Sequence, residues 1–188
     1  VNANTSGDQE YPAVDIDHNG NFYVAWMIDG SGAQDDDVYL RKGVLGLLLN
    51  SSDARICGNN YHDWFGYSLA TGNIDNDDYA DLFVGAPKED GGGKDAGKVY
   101  LIWDNSSSAY HGSYDIGDLI SANKIYSWYG ESSRDELGWK IAAGNIDGSG
   151  NDDLIVSAPL ADYSGTDKGK IYVDRTISAG AAGNVNIS

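Results

Sequence analysis

Short apolar runs separated by glycine and aspartate dominate the middle of the chain. Between residues 67 and 130 these runs are YSLATG, DLFVGAP, GKVYLIWD and NKIYSWYG. Runs of about five residues that are bounded by turn residues and lack a period of 3.6 are typical of β-strands joined by tight loops. The pattern therefore predicts an all-β fold.

The same pattern recurs further along the chain. Residues 65–101 align without a gap on residues 137–173, and 17 of the 37 positions are identical. Four short strands in a repeated unit are typical of a β-propeller blade. We therefore interpret 59–130 as one blade and 131–188 as the next, ending in a C-terminal strand or tail.

Residues 1–58 predict a diverged blade that precedes the other two. Three strand-like runs, YPAVDI, NFYVAWMI and DVYLRK, are followed by LNSSDARICG, which aligns with SANKIYSWYG of the next unit in the same register. The prediction is about three blades of four antiparallel strands, which do not close a ring on their own. The tail at 176–188 is predicted to complete the third blade or to be donated to another subunit.

Charge and hydropathy narrow the classes of partner. The chain has 29 acidic and 12 basic residues and a net charge of −17. Such a charge repels the phosphates of nucleic acid and of anionic membranes. The longest apolar run, GVLGLLL at 43–49, is far shorter than the about 20 residues of a spanning helix. We expect neither nucleic-acid binding nor membrane insertion.

The glycosylation sequons favour an extracellular or cell-surface protein. The single Cys57 excludes an internal disulfide and a multi-cysteine zinc site. The chain begins at Val1, so we expect a processed or excised segment. Possible glycosylation sites in Asn-x-Ser/Thr sequons are Asn4, Asn50, Asn105 and Asn186.

The repeated unit resembles the FG-GAP repeat of integrin α-subunit β-propellers and of related bacterial and archaeal surface proteins. The likeness rests on FGYSLATGNIDNDDYADLFVGAP with GKVYLIW, and on LGWKIAAGNIDGSGNDDLIVSAP with GKIYV. The second unit departs mildly, with Leu-Gly and Ser-Ala-Pro. Residues 10–42 are similar instead to repeats of sialidase-like and other extracellular propellers, and this second likeness brings no catalytic residue.

The FG-GAP resemblance implies calcium (Ca²⁺) in the loop between the first two strands of a blade, where the family pattern is Asp-x-Asn-x-Asp-Gly-x-x-Asp. In the first unit the matching side chains are those of Asn73, Asp75, Asp77 and Asp81, with the carbonyl of Tyr79. In the second unit they are Asn145, Asp147, Ser149 and Asp153, with the carbonyl of Asn151.

The chemistry of these loops is suited to calcium. Ca²⁺ takes six to eight oxygens, and alternate positions of a curled nine-residue loop can supply them. The first loop offers three ligand carboxylates with Asp78 left outside, and the second offers two, so we expect tighter binding at the first. The alternative is a polar turn with solvated aspartates, which the matching register of the two loops disfavours.

A third acidic loop, DIDHNGN at 15–21, is a possible weak metal site. Asp15, Asp17 and Asn19 have the spacing of a cation loop, but Tyr23 and Trp26 stand where a further acidic ligand is needed. A hairpin turn with Gly20 in a left-handed conformation is favoured over a metal site.

Catalytic signals are weak, and we expect no enzyme. His18, His62 and His111 lie in unrelated loops, and no nucleophile motif is present. The five tryptophans are expected mainly in the core between blades, with a sugar- or protein-binding surface as the alternative.

We therefore expect a calcium-binding propeller segment that acts in adhesion through a protein or glycan ligand. The alternative is a self-assembling filament or surface-layer subunit whose open blade faces are covered by copies of itself. A sialidase-like or phospholipase-like enzyme fragment is a third, weaker alternative.

Overall fold

The structure, a computed structural model, describes most of the chain, with gaps. The described residues are 8–16, 21–29, 36–44, 54–60, 62–77, 80–103, 112–122, 124–162, 165–177 and 183–186.

The described elements are thirteen strands and one short helix. In chain order they are β1 Asp8–Ile16, β2 Asn21–Asp29, β3 Asp36–Val44, β4 Ala54–Cys57, β5 Ser68–Gly72, β6 Asp81–Ala86, β7 Lys98–Ile102, β8 Gly112–Asp115, α1 Ile116–Ser121, β9 Ile125–Tyr129, β10 Lys140–Gly144, β11 Asp153–Ala158, β12 Lys170–Asp174 and β13 Gly183–Asn186. The prediction of an almost entirely β fold is confirmed.

These strands form three sheets, each built around an antiparallel meander. The first has the order β1-β2-β3-β4-β8, the second β5-β6-β7-β9-β13 and the third β10-β11-β12. The first strand of the second sheet, β5, contacts both β1 and β10. First strands that adjoin in this way are the inner strands of neighbouring propeller blades. The described sheets do not close into a ring, as predicted.

A fifth, parallel strand at the outer edge of two sheets was not predicted. β8 pairs in parallel with β4, and β13 pairs in parallel with β9. In the register that aligns residue 65 with residue 137, β8 falls at 184–187 and overlaps β13, so both strands have equivalent places in the repeat. The C-terminal tail therefore contributes a strand to the second sheet, where the sequence had suggested the third blade or another subunit.

The short helix α1 is also absent from the sequence prediction. Asp115 caps its first turn, because the side chain accepts a hydrogen bond from Gly117 N–H at 2.8 Å. Ile116 and Leu119 of this helix are buried in the core. Six residues are too few to show a helical period in the sequence. Within the described part of the chain, no helix has the length and hydropathy to cross a membrane.

Two hydrophobic clusters hold the sheets together. One packs Val84 and Ile102 of the second sheet against Ile56 of the first, and the other packs Phe83 against Leu154 and neighbouring residues of the third. Every residue of β6 is buried, because its alternate side chains enter opposite clusters. The second sheet is therefore a central layer, with a blade on each side.

Candidate metal centre

The two loops predicted to bind calcium occupy equivalent ends of two sheets. The first joins β5 to β6, where Gly72 pairs with Asp81, and the second joins β10 to β11, where Gly144 pairs with Asp153. Since these pairs are the last of their ladders, both loops project from the same end of their sheets. Each loop therefore lies between the first two strands of its blade.

The first loop is curled by hydrogen bonds among its own residues. Asn73 Nδ2 donates to the carbonyl of Asp77 at 2.6 Å, and Asp77 N–H donates to Asp75 Oδ1 at 3.2 Å. Ile74 N–H donates to Asp81 Oδ2 at 3.1 Å. The structure thus brings four predicted ligand residues into one turn, while Asp78 and Tyr79 lie outside the described residues.

One buried oxygen of this loop lacks a hydrogen-bond donor among the residues that the structure describes. Asn73 Oδ1 is shielded from solvent, and none of the described residues donates a hydrogen bond to it. A buried oxygen in that state costs about 1 to 3 kcal/mol unless another group satisfies it. Asn73 Oδ1 is the atom with which the predicted first ligand would hold a cation.

The carboxylates of the first loop are partly withdrawn from water. Burial raises the pKa of Asp75, hydrogen bonding to the Asp77 backbone lowers it, and the negative charge of Asp77 raises it again. Asp81 has no exposed surface. A hard cation would relieve this mutual repulsion, so the residues present fit calcium.

Carboxylates alone do not complete the site. Among the residues that the structure describes, no three His, Cys, Asp or Glu side chains form a group that could hold a metal ion. The amide of Asn73 and the backbone carbonyls of the loop would have to supply the remaining oxygens, as is usual for calcium.

The second loop has the same fold but is more open. Ile146 N–H donates to Asp153 Oδ2 at 2.8 Å, which matches the bond from Ile74 to Asp81. Ser149 N–H donates to Asp147 Oδ1 at 2.9 Å. Residues 145–150 are exposed, and Asn151 is half-buried. The backbone template is therefore repeated, but with less burial around the ligands.

Two contacts distinguish the second loop and were not predicted. Asn145 Oδ1 already accepts a hydrogen bond from Gly148 N–H at 2.6 Å. Arg175 Nη1 lies 3.9 Å from Asp147 Oδ2. The pKa of Asp147 is lowered by hydrogen bonds from the backbone and side chain of Ser149, with a further contribution from Arg175. A cation would have to compete with a donor and with a positive charge, which supports the expected order of affinities.

The two loops touch each other through Asp152. Its Oδ2 accepts a hydrogen bond from Asn73 N–H at 2.8 Å, and its own N–H donates to the Asn73 carbonyl at 2.9 Å. Sequence reasoning missed this residue. Asp152 lies in the second loop, and its position in the sequence does not indicate that its side chain contacts the first loop.

The remaining predicted sites stay predictions. Asp15 is in β1 opposite Tyr23, and Asp17 and Asn19 lie outside the described residues. The sequon residues Asn4, Asn50 and Asn105 also lie outside the described residues. Asn186 is in β13, where only its backbone is described.

The glycines of the repeat motif lie at the end of the sheets opposite the acidic loops, where their backbone conformation and contacts require glycine. Gly66 N–H donates to the Gly85 carbonyl at 2.9 Å, and Gly138 N–H donates to the Ser157 carbonyl at 3.1 Å. Across the blade boundary, Ser68 Oγ donates to the Gly138 carbonyl at 2.6 Å. Gly66 and Gly138 have φ values of 95° and 92°, which favour glycine.

The tryptophans divide between core and surface. Trp103 and Trp128 are buried in the cluster between the second and third sheets, as expected. Trp64 and Trp139 are half-buried and lie with Tyr67 at the end opposite the acidic loops, with ring centroids of Tyr67 5.5 Å from Trp64 and 4.8 Å from Trp139. Trp26 belongs to β2, and its side chain lies outside the described part of the structure.

Comparison with protein families identifies the repeated unit. The profile of the FG-GAP repeat matches residues 65–102 and 137–174. Each match covers the first three strands of a blade and the acidic loop, and contains one of the two left-handed glycines, Gly66 or Gly138.

Comparison with individual proteins gives relatives of two kinds. Integrin alpha-V of Gallus gallus is 33% identical over 129 residues, which is 65% of this chain and 11% of the integrin. Integrin alpha-PS2 of Drosophila melanogaster is 28% identical over 116 residues, 62% of this chain and 7% of the integrin. Phosphatidylinositol-glycan-specific phospholipase D of Rattus norvegicus is 30% identical over 176 residues, 90% of this chain and 18% of the enzyme. The chain thus spans less than a fifth of each relative.

Proposed function

Because the chain belongs to the FG-GAP repeat family through residues 65–102 and 137–174, we propose that it is a calcium-binding propeller segment of an extracellular or cell-surface protein. It acts in adhesion through a protein or glycan ligand, and calcium holds its loops in shape without taking part in a reaction. The similarity to integrin α-subunits supports an adhesion-type propeller.

The observation that carries the calcium proposal is the buried Asn73 Oδ1, to which no residue in the described part of the chain donates a hydrogen bond. It lies in a loop whose alternate positions carry oxygen ligands, at the place where the repeat predicts a cation. The equivalent loop has the same backbone hydrogen bond to its last aspartate. An ion bound there would fix the start of β6, which is wholly buried, or of β11, which is buried on the face that packs against the second sheet.

We expect the chain to bind two Ca²⁺ ions, with the first loop binding more tightly than the second. Each ion that binds only the folded state would stabilise it by about 2.7 kcal/mol at a free calcium concentration of 100 times the Kd of its site. Calorimetric titration measures the stoichiometry, and thermal unfolding in calcium and in chelator measures the stabilisation. A chain with the same melting temperature in both conditions would contradict the proposal.

The repeat supplies a matched control for the ligand assignment. Asp77 and Ser149 occupy equivalent positions of the two loops. Asp77→Ser should weaken the first site, and Ser149→Asp should strengthen the second, because calcium affinity rises with ligand charge. Tighter binding by the second loop in the unaltered chain would show that the ligand assignment is wrong.

We propose that the chain has no catalytic function of its own. Most of the relatives named above are integrins, and the phospholipase D is similar over a region that contains the repeats. Because the chain spans 18% of that enzyme, the likeness supports a shared propeller region.

An exposed apolar face favours self-assembly as the second candidate function. On β12, Ile171 is 72% exposed and Val173 is 49% exposed. The equivalent residues of the second sheet, Val99 and Leu101, are fully buried beneath the third sheet. In a self-assembling subunit, a neighbouring copy would cover the exposed face as the third sheet covers the second.

If assembly covers this face, sedimentation velocity should give dimers or larger species in calcium and smaller species in chelator. Ile171→Asp should shift the distribution towards monomers, because it places a charge where apolar contact is needed. A monomer in both conditions would contradict the assembly alternative, while leaving the calcium proposal intact.

A further inference from the structure

Asp152 joins the two proposed calcium loops through a reciprocal pair of hydrogen bonds. Asn73 N–H donates to the Asp152 carboxylate, and Asp152 N–H donates to the Asn73 carbonyl. Asn73 is the first residue of its loop, and Asp152 immediately precedes Asp153, the last proposed ligand of the other. The start of one loop is therefore attached to the end of the other.

The approach of the two loops is too close for a side chain at Gly72. A Cβ added there would lie 2.8 Å from the Cβ of Ala143 and 3.3 Å from that of Asp152. In the first unit the position equivalent to Asp152 is Ala80, whose side chain is buried and cannot accept a hydrogen bond. The carboxylate link is thus a particular feature of the second unit.

Building on the proposed function, we infer that Asp152 couples the two calcium loops, so that calcium in the second raises the affinity of the first. An ion in the second loop would fix Asp153 and with it the neighbouring backbone of Asp152. The Asp152 carboxylate then holds Asn73 N–H, which positions Asn73 Oδ1, the first ligand of the first loop. The ordering needed by the first loop is then already in place when its ion binds.

Linkage requires the effect to be mutual. Calcium in the first loop must raise the affinity of the second by the same factor, because a coupling free energy belongs to the pair of sites. The second loop, which is more exposed and has fewer carboxylates, therefore gains calcium affinity when the first loop is occupied. Both loops then fill over a narrower range of calcium concentration than independent sites would.

Four chains measure the coupling: wild type, Asp147→Asn, Asp152→Ala and the double variant. Asp147→Asn removes a carboxylate ligand from the second loop without touching the first. Tyr79 lies in the sequence of the first loop, so the part of the Tb³⁺ emission that is lost in a Tyr79→Phe chain reports first-loop occupancy. Calorimetric titration with Ca²⁺ follows both loops. We expect Asp147→Asn to weaken first-loop binding about fivefold when Asp152 is present, and to have a much smaller effect in the Asp152→Ala chain, which keeps only the backbone hydrogen bond to Asn73.

Two further variants separate the link from general effects. Asp152→Asn keeps an acceptor for Asn73 N–H and should retain most of the coupling. If the alanine chain unfolds, the comparison of wild type with Asp147→Asn still tests the coupling, because an unchanged first-loop affinity would overturn it. Asp118→Ala removes an equal charge from α1 and should leave both affinities unchanged.

The outcomes distinguish the coupling from the proposed function. Equal weakening with and without Asp152 would overturn the coupling, as would two loops that bind calcium independently in the wild type. A wild-type chain that binds no calcium would overturn the proposed function together with the coupling.

Discussion

Gly85→Ser is expected to destabilise the protein by about 3 kcal/mol, because it forces a side chain into the boundary between the second and third blades. A Cβ at this position would lie 2.4 Å from the carbonyl oxygen of Gly138 and 2.4 Å from Ser68 Oγ. The first of these contacts is with backbone, so relief requires the two blades to move apart. Denaturant unfolding, followed by the fluorescence of the buried tryptophans, measures the loss.

The repeat again provides the control, since Ser157 occupies the position equivalent to Gly85. No described blade packs on that face of the third sheet, and the Ser157 hydroxyl instead accepts from Lys140 N–H at 3.0 Å. Ser157→Gly should therefore cost about 1 kcal/mol, the value of one hydrogen bond and of added backbone freedom. If Gly85→Ser were as mild as Ser157→Gly, close blade contact would not be the reason for this glycine.

Gly85 and Ser157 look like a neutral exchange when the two units are aligned. The alignment shows that Gly66 and Gly138 are shared, but not that each N–H reaches the carbonyl of the residue two before the proline of its unit. The structure shows that Gly85 lies beneath another blade, whereas no described blade covers Ser157. Sequence thus predicts the motif, and packing explains its exceptions.

The strands were predictable because their signal is local. Each strand is a short apolar run with turn residues on either side, so β5, β6 and β7 and their equivalents follow from the sequence pattern alone. The parallel strands β8 and β13 did not, because their partners belong to a preceding blade. A strand that adds to a distant edge leaves no periodic mark that distinguishes it from a loop.

The candidate site also combines local features that the sequence shows with contacts between distant residues that it does not show. The spacing of Asn73, Asp75, Asp77 and Asp81 is local, and the structure brings these residues into one turn. The groups that set the difference between the loops are not local. Arg175 approaches the second loop from beyond β12, and Asp152 crosses to the first loop from the neighbouring blade. Such contacts depend on how the sheets pack, which spacing alone does not reveal.

Lysine in the Gly-Lys pair of each repeat has two different environments. Lys98 is 3% exposed, and its Nζ donates to Tyr129 Oη at 2.9 Å and lies 3.9 Å from Glu89 Oε1. The same Nζ lies 4.5 Å from the ring centroid of Tyr100 and 4.3 Å from that of Tyr129. Burial and then the charge of Glu89 raise the pKa of Tyr100. Tyr100 therefore stays neutral, and the lysine is the cation that faces Glu89.

The equivalent Lys170 lies at the surface. It donates to Glu131 Oε2 at 2.5 Å, and Ala161 stands at the position equivalent to Glu89. Its ammonium group is partly exposed, so water can replace the partner when the pair is broken. The same residue of the motif is thus a buried partner in one blade and a solvated one in the next.

Lys98→Met is therefore expected to cost about 3 to 5 kcal/mol, because it leaves the Glu89 carboxylate buried without its cation. Lys170→Met should cause only a small fraction of that loss. Adding Glu89→Gln to Lys98→Met should recover much of the stability, since the remaining amide carries no charge and can still accept from Gly91 N–H, which now donates to Glu89 Oε2 at 2.7 Å. Urea unfolding of the variants and the wild type measures the coupling free energy between Lys98 and Glu89. Equal losses of stability from Lys98→Met and Lys170→Met would show that burial of the Lys98–Glu89 pair does not account for the cost.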